Sequence, residues 1–380
     1  MYFTNFVFIF NTMRDYDELE GYLRQDEPDK LNRGVAWATA IGLQEVDGLS
    51  TSKYLRETAL RNIKGEISID EARDLIKTYY ESRDKLQPES EDTEEADKVS
   101  ANIAKLLGEE AFVFSPAGLI SVHRRIFTGV FSHAGKIRDY NIKKKEWVLN
   151  GETVLYSPAS EIMATLSYDF GEEKKFSYNG LDIDQIITHL TQFVSGIWQI
   201  HPFQEGNTRT TAVFLIKYLR SIGFNIENKP FAENSWYFRN SLVRANVKNP
   251  AKGIVQTDEF LKRFFENLLK GADHELKNRF IHINYKENVY DREADRSSDR
   301  PSDQALLIMK ALIDGPKSRE VIMKKLGLNH IPSFRKNYLH DALENGWIER
   351  TIPDKPTSSN QQYRLTTKGE EYITFPKAHP

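Results

Sequence analysis

Apolar residues recur at helical spacing along most of the chain. The clearest run is Ile183, Ile186, Ile187, Leu190, Phe193, Val194, Ile197 and Trp198, which predicts one buried face of a helix over Ile183 to Ile200. Pro202 ends it, because its ring removes a donor and restricts the residue before it. A second, largely buried helix is expected from Thr210, Ala212, Val213, Phe214, Leu215, Ile216, Tyr218 and Leu219, with Asn207 as its N-cap. Upstream, a helix around Val35 to Val46 precedes two more, separated by a stop at Gly65 and a cap at Ser68 or Asp70. Between these blocks, Trp147 to Tyr156 is β-rich on both sides of Asn150-Gly151, the signature of a hairpin. The charge-rich stretches Gln87 to Lys98 and Asp291 to Asp303 read as solvated connectors.

The loop between the two long helices carries the chemistry. His201-Pro-Phe-Gln-Glu-Gly-Asn-Thr-Arg209 supplies a base, a carboxylate, a flexible turn and a cation within nine residues. The helix N-terminus that follows leaves N–H groups unpaired, and these favour an anion. Gly206 can take positive φ and bring backbone donors close to a phosphate, and Arg209 adds a planar fork of donors. A carboxylate beside such a site makes sense if Glu205 holds Mg²⁺, whose coordination shell it would share with phosphate oxygens. A neutral His201 beside a metal-bound triphosphate is placed to take a proton from an attacking hydroxyl; the competing reading is a structural helix-end histidine. Phe203 reads as an apolar plug under the loop.

This segment closely resembles the signature of the Fic family, His-x-Phe-x-Asp/Glu-Gly-Asn-x-Arg-x-x-Arg, with His201, Phe203, Glu205, Gly206, Asn207 and Arg209 in register. The resemblance implies a mainly α fold: a Fic-type helical domain with a β-hairpin flap. It also implies protein adenylyltransferase activity, AMP passing from ATP to a Tyr, Ser or Thr hydroxyl, with ATP and Mg²⁺ required. His201, Glu205, Asn207 and Arg209 then form the catalytic set, His201 as general base and Glu205 as metal ligand. Phe203, Gly206, Asn207, Thr208 and Arg209 belong to the nucleotide site, and Tyr237 and Asn240 are candidates for the nucleobase, though their spacing suits the core equally well. One departure stands out. The family's final Arg, which holds the terminal phosphate, falls on Ala212.

In Fic proteins the hairpin before the motif pairs with an extended piece of the target, so residues 147–156 become the expected docking flap, with a partnerless surface hairpin as the alternative. Ala134-Gly-Lys-Ile-Arg138 is similar to the family's pre-flap segment. The small N-terminal helical unit is similar to the antitoxin-type inhibitory module found beside Fic domains, whose Ser/Thr-x-x-x-Glu-Gly motif corresponds to Leu43-Gln-Glu-Val-Asp47-Gly48. The Ser is missing and Glu has become Asp. Since the family's inhibitory Glu pairs with the Arg replaced by Ala212, this helix is expected not to clamp the site tightly. A plain packing helix is the other reading.

The C-terminal region changes pattern. Short helices at Ala305 to Ile313, Ser318 to Leu326 and Ser333 to Leu343 precede Trp347 to Ile352, a loop from Pro353 to Asn360, and Gln362 to Thr366, which read as a two-stranded wing. The arrangement resembles a winged helix-turn-helix, with Ser333, Arg335, Lys336 and Asn337 placed to meet a major groove. From Asp303 to Pro380 twelve Lys and Arg face nine Asp and Glu, a weak excess, so a DNA or a protein partner both remain open. The expected organisation is a helical, antitoxin-like module over 1–100, a catalytic domain over 101–290 with its core at 116–269, a linker at 291–303 and a winged domain over 304–380.

Composition narrows the picture further. A net charge of −3 over 380 residues argues against a global nucleic-acid field, and the absence of cysteine excludes disulfides, thiolate zinc sites and cysteine nucleophiles. Met1 to Phe10 is apolar but too short to span a bilayer and lacks a basic leader, so a cytoplasmic protein without a membrane partner is expected, a homodimer being open. Two functions of different classes follow. One is the adenylyltransferase, with AMP removal or another nucleotide donor as variants. The other is a DNA-binding regulator that keeps the Fic fold as a nucleotide sensor, for which a base and a metal carboxylate would be superfluous.

Overall fold

A computed structural model describes residues 28–82, 89–226, 228–285, 303–328, 334, 338–344, 346–351 and 361–374. They fall into two compact units, one within residues 10–285 and the other within 286–380. The described residues are mainly helical, with one small sheet among them.

The first unit opens with α1 (Pro28–Gly42), which runs into a 3-10 turn (Leu43–Asp47), followed by α2 (Lys53–Lys64), α3 (Ile69–Glu81) and α4 (Glu89–Leu107). The stop at Gly65 is real: it closes α2 at φ 80°, a left-handed conformation open to glycine at little cost. Of the two caps considered for α3, Ser68 is the one used, in a reciprocal capping box with Glu71.

The connector expected over 87–98 is instead largely helix, with Gln87 and Pro88 outside the described residues. Behind its charges, Ala96, Val99, Ile103, Leu106 and Leu107 make a helical stripe, and all are buried. Asp97 is buried with them because it is satisfied: it accepts from Ser52 N at 2.8 Å, Ser52 Oγ at 2.5 Å and Tyr80 OH at 2.6 Å.

The core of the unit is built by α5 (Pro116–Phe127), α6 (Ile162–Lys175), α7 (Ile183–Ile200), α8 (Asn207–Ser221), α9 (Lys229–Glu233), α10 (Ser235–Ala245), α11 (Glu259–Lys270) and α12 (Asn278–Ile281). The helix expected over 183–200 has those bounds, opened by Asp182 in a capping box with Gln185. α8 is buried on nearly all sides, with Asn207 through Leu219 out of solvent, while Gln204 and Glu205 of the loop that feeds it stay exposed. α1 to α4 pack onto the same core, α4 against both α5 and α8.

The hairpin expected over 147–156 needs correction. The chain reverses at Asn150-Gly151 as predicted, both residues at positive φ, but Trp147–Leu149 is a 3-10 turn and no strand ladder forms. Glu146 holds the reversal, its N–H donating to Glu152 O and its carbonyl accepting from Leu149 and Gly151. The Glu146 side chain is wholly buried, taking Tyr156 OH at 3.0 Å and Arg239 at 2.7 Å, and this inward anchor pulls the segment off a regular strand.

The second unit comprises α13 (Asp303–Ala311), β1 (Lys317–Ser318), α14 (Arg319–Lys325), α15 (His340–Glu344), β2 (Ile348–Arg350), β3 (Gln362–Leu365) and α16 (Thr367–Thr374). The sheet is antiparallel in the order β1-β3-β2, so the expected strand pair gains a third member, short β1, which the sequence reading had passed over. Its core gathers Ile308, Met309, Ile322, Phe334, Trp347 and Tyr363. Ser333, Arg335, Lys336, Asn337, the 353–360 loop and the 291–302 connector lie outside the described residues. Among the described residues no helix is long and apolar enough to cross a membrane.

Candidate active site

His201 is the C-cap of α7 and takes a left-handed conformation, φ 50° and ψ 60°, which turns the chain sharply before Pro202. A non-glycine residue there carries a cost of about 1 kcal/mol, so something must hold it. Arg138 does. Its buried guanidinium donates to His201 O at 2.8 Å, Ile200 O at 3.2 Å, Ser157 O at 2.6 Å and Tyr140 O at 2.7 Å, while its own N–H reaches Pro202 O at 2.9 Å. One planar cation thus ties the end of α7 to the segments on either side of the 147–156 turn.

The imidazole is 3% exposed, packed 4.3 Å from the Tyr156 ring and 5.2 Å from Trp198. Nδ1 lies 3.3 Å from Trp198 O, an acceptor, so Nδ1 carries the proton and the lone pair is left on Nε2. Burial, and then the charges of Lys144, Arg239 and Arg138, push the proton affinity well below the usual histidine range; only the Trp198 carbonyl opposes them. At neutral pH this is an uncharged base.

Gly206 caps α8 at φ 75°, and a Cβ there would meet the Phe127 ring at 2.2 Å, so conformation and space both demand glycine. The N-cap expected at Asn207 is therefore displaced by one residue. Asn207 begins the helix, and its amide closes the loop from inside, accepting from Phe203 N at 2.9 Å and donating to Phe203 O at 2.7 Å. Thr208 is equally committed, accepting from Trp198 Nε1 at 2.9 Å. Phe203 is the plug expected, 1% exposed and stacked 3.8 Å from the His123 ring.

His123 escaped the sequence reading. It accepts Gly135 N–H at Nδ1, 2.8 Å away, so Nε2 must donate to Glu205 O at 3.1 Å. Burial pulls its pKa down to about 4, and the neutral ring pins the loop under Glu205. Its place on the apolar face of α5, beside Leu119, Val122 and Ile126, gave it the look of a core residue.

The Glu205 carboxylate is half-exposed and lies 3.3 Å from Lys144 Nζ. As a half-exposed carboxylate it can hold a hard divalent cation once Lys144 gives way, leaving the remaining ligands to water and phosphate oxygens. Among the described residues no cluster of three or more His, Cys, Asp or Glu gathers to hold a metal without such help.

Arg209 is 2% exposed and does not point into open space. Nη1 donates to Gln44 Oε1 at 3.0 Å, Nη2 pairs with Glu95 Oε1 at 2.7 Å, and Nε lies 2.8 Å from Asp47 Oδ2. Its guanidinium carbon sits 4.9 Å over the Phe127 ring. The expectation that the 43–48 segment leaves this site unclamped is thus overturned in its geometry: Asp47 reaches the first Arg of the motif, and Ala212, with no exposure, offers no second one. Glu95 was missed because its charges were read as a solvated run.

The two nucleobase candidates sit elsewhere in character. Tyr237 is 1% exposed and Asn240 is 0% exposed, with Asn240 Nδ2 donating to Asn278 Oδ1 at 2.8 Å. Both are core, since the helix that carries them, α10, packs between α11 and the 3-10 turn over 43–47 and turns these faces inward.

Residues 113–219 match the family model of the Fic/DOC family, and residues 303–366 match that of the filamentation induced by cAMP protein Fic-like, C-terminal domain. Protein adenylyltransferase VbhT of Bartonella schoenbuchensis is 27% identical over 106 residues, covering 28% of this chain and 21% of that protein; the match thus spans about a fifth of the relative's length. Among solved structures, a Fic family protein from Desulfovibrio desulfuricans G20 is 21% identical with 97% of this chain and 98% of that one covered, at a TM-score of 0.40. The N-terminal Fic domain of a Bartonella effector protein from Bartonella sp. AR 15-3 is 19% identical, with 49% and 86% covered and a TM-score of 0.38.

Proposed function

Starting from a chain that carries a Fic/DOC family domain and a Fic-like C-terminal domain, we propose that it transfers AMP from ATP to a hydroxyl of a target protein. The observation that carries this reading is the buried, neutral His201, whose proton sits on Nδ1 against Trp198 O and whose Nε2 keeps its lone pair, at the head of the loop that runs through Glu205 into α8.

In this reading the target hydroxyl gives its proton to His201 Nε2 as its oxygen attacks the α-phosphorus. The bond to the pyrophosphate oxygen breaks and pyrophosphate leaves with the electron pair. Free N–H groups at the start of α8 receive phosphate oxygens, and Glu205 would hold magnesium, which neutralises charge on the phosphates. Arg209 serves the same anion once Gln44, Asp47 and Glu95 release it. Trp147, 48% exposed, and Leu155, 78% exposed, flank the turn at 150–151 and offer the target an apolar landing surface.

The full-length chain, incubated with ATP labelled at the α-phosphate and Mg²⁺ in the presence of cell lysate, should label itself or a lysate protein, and His201→Ala should abolish the label. Labelling that survives His201→Ala would defeat the reading. Label from another α-labelled nucleoside triphosphate in preference to ATP would keep the chemistry and replace the donor, the outcome that Ala212 makes worth measuring.

A further inference from the structure

Lys144 lies outside the 201–209 motif yet faces it from the approach to the 147–156 turn. Its Nζ is 3.3 Å from Glu205 Oε2, and its side chain is 30% exposed. The same charge reaches the buried imidazole, where it follows only burial in suppressing protonation of His201. One ammonium therefore looks onto both polar groups of the reaction site.

Its backbone is held while its head is not. Lys144 N donates to Thr153 Oγ1 at 3.3 Å, and two residues on, Glu146 is locked between Tyr156 and Arg239. The pair with Glu205 joins a flexible four-carbon stem to a half-exposed carboxylate, a kind of contact that is weak in water and easily exchanged. The other cations of the site are in the opposite position: Arg209 is buried among Gln44, Asp47 and Glu95, Arg138 is spent on backbone carbonyls, and position 212 is alanine. A triphosphate entering beside Glu205 would bring several negative charges to a cradle whose arginine is engaged.

Resting on the nucleotide reading above, we propose that Lys144 exchanges the Glu205 carboxylate for an oxygen of the terminal phosphates of a bound nucleoside triphosphate, supplying the cation that position 212 lacks. The exchange also frees Glu205 at the moment it is needed for the metal. A triphosphate is then recognised over a monophosphate by a residue just before the turn segment.

Binding of ATP and of AMP to the full-length protein, each with and without Mg²⁺, tests this by calorimetry. Lys144→Ala should weaken ATP binding about tenfold and leave AMP binding within about twofold, and Lys144→Arg should restore most of the loss. ATP binding unchanged or tightened by Lys144→Ala would overturn the proposal, because Lys144 would then only block Glu205. Equal losses for ATP and AMP would also overturn it, by making the effect structural. Wild-type protein that binds no ATP would remove the nucleotide reading itself, a result separable from a failure of Lys144 alone.

Discussion

Arg209 Nε lies 2.8 Å from Asp47 Oδ2, so the one arginine that the motif retains is held by the segment between α1 and α2. Glu95 and Gln44 complete the hold. An amide and a carboxylate that accept from the buried guanidinium, and a second carboxylate paired with it, compete directly with any other anion for the same cation, and a hydrogen bond to a charged group contributes about 1.5–3 kcal/mol. Asp47→Ala combined with Glu95→Gln should therefore raise ATP affinity about tenfold or more and raise transfer with it, as read by nucleotide titration and label incorporation. Unchanged affinity in the double variant would assign the contact to packing alone.

The depressed proton affinity of His201 sets a pH profile. Because its folded pKa lies well below 6.5, the imidazole is already deprotonated at pH 6.5, and the rate should stay flat from about pH 8 to pH 6.5 and fall only on further acidification. Lys144→Ala and Arg239→Ala remove charges that oppose protonation, so each should move the acid limb toward higher pH. An acid limb centred at the ordinary histidine value in the wild type would contradict the burial argument.

His123 makes a separate prediction about stability. Its folded pKa of about 4 is lower than the unfolded value near 6.5, so between these values the unfolded chain binds the extra proton. The stabilisation is complete above about pH 6.5 and is lost as pH falls toward 4, amounting to about 3 kcal/mol. Thermal melts of the full chain should show this slope, and His123→Gln should reduce it, leaving the part that the depressed His201 contributes, while lowering stability at pH 7, since the Gly135 and Glu205 contacts are disturbed. A slope that persists unchanged in His123→Gln would place the titration elsewhere.

Gly206→Ala should lower stability by more than 2 kcal/mol, because the new Cβ falls on the Phe127 ring and the residue must hold φ 75°. In a Gly206→Ala, Phe127→Ala protein the loss should be smaller than the sum of the two single losses, because the clash goes with the ring, and Gly206→Ala should cost only about 1 kcal/mol of backbone strain in the Phe127→Ala background. Denaturant melts of the four proteins close this cycle; a Gly206→Ala protein as stable as wild type would rule out the close approach.

Which features were legible in the chain, and which were not, follows from range. The bounds of α7, the stop at Gly65, the cap at Ser68, the reversal at Asn150-Gly151 and the order of His201, Glu205, Gly206 and Arg209 all depend on residues within one or two turns of each other, where periodicity and turn chemistry act. The same local order was enough to raise the reaction chemistry. What the neighbours of those residues are is set by helices distant in the chain. Asp97 could join a buried helix because Ser52 and Tyr80 meet it, and Glu95, two positions earlier on the same helix, meets Arg209. Glu146 drew a strand-like segment into a 3-10 turn because Arg239 and Tyr156 lie beneath it, and the core claimed Tyr237 and Asn240 from the base they were offered to. Local sequence determined which groups this protein brings to the candidate site; tertiary packing decided which of them are left without a partner, because a charge or amide buried in a low-dielectric interior must take whatever partner the fold places against it.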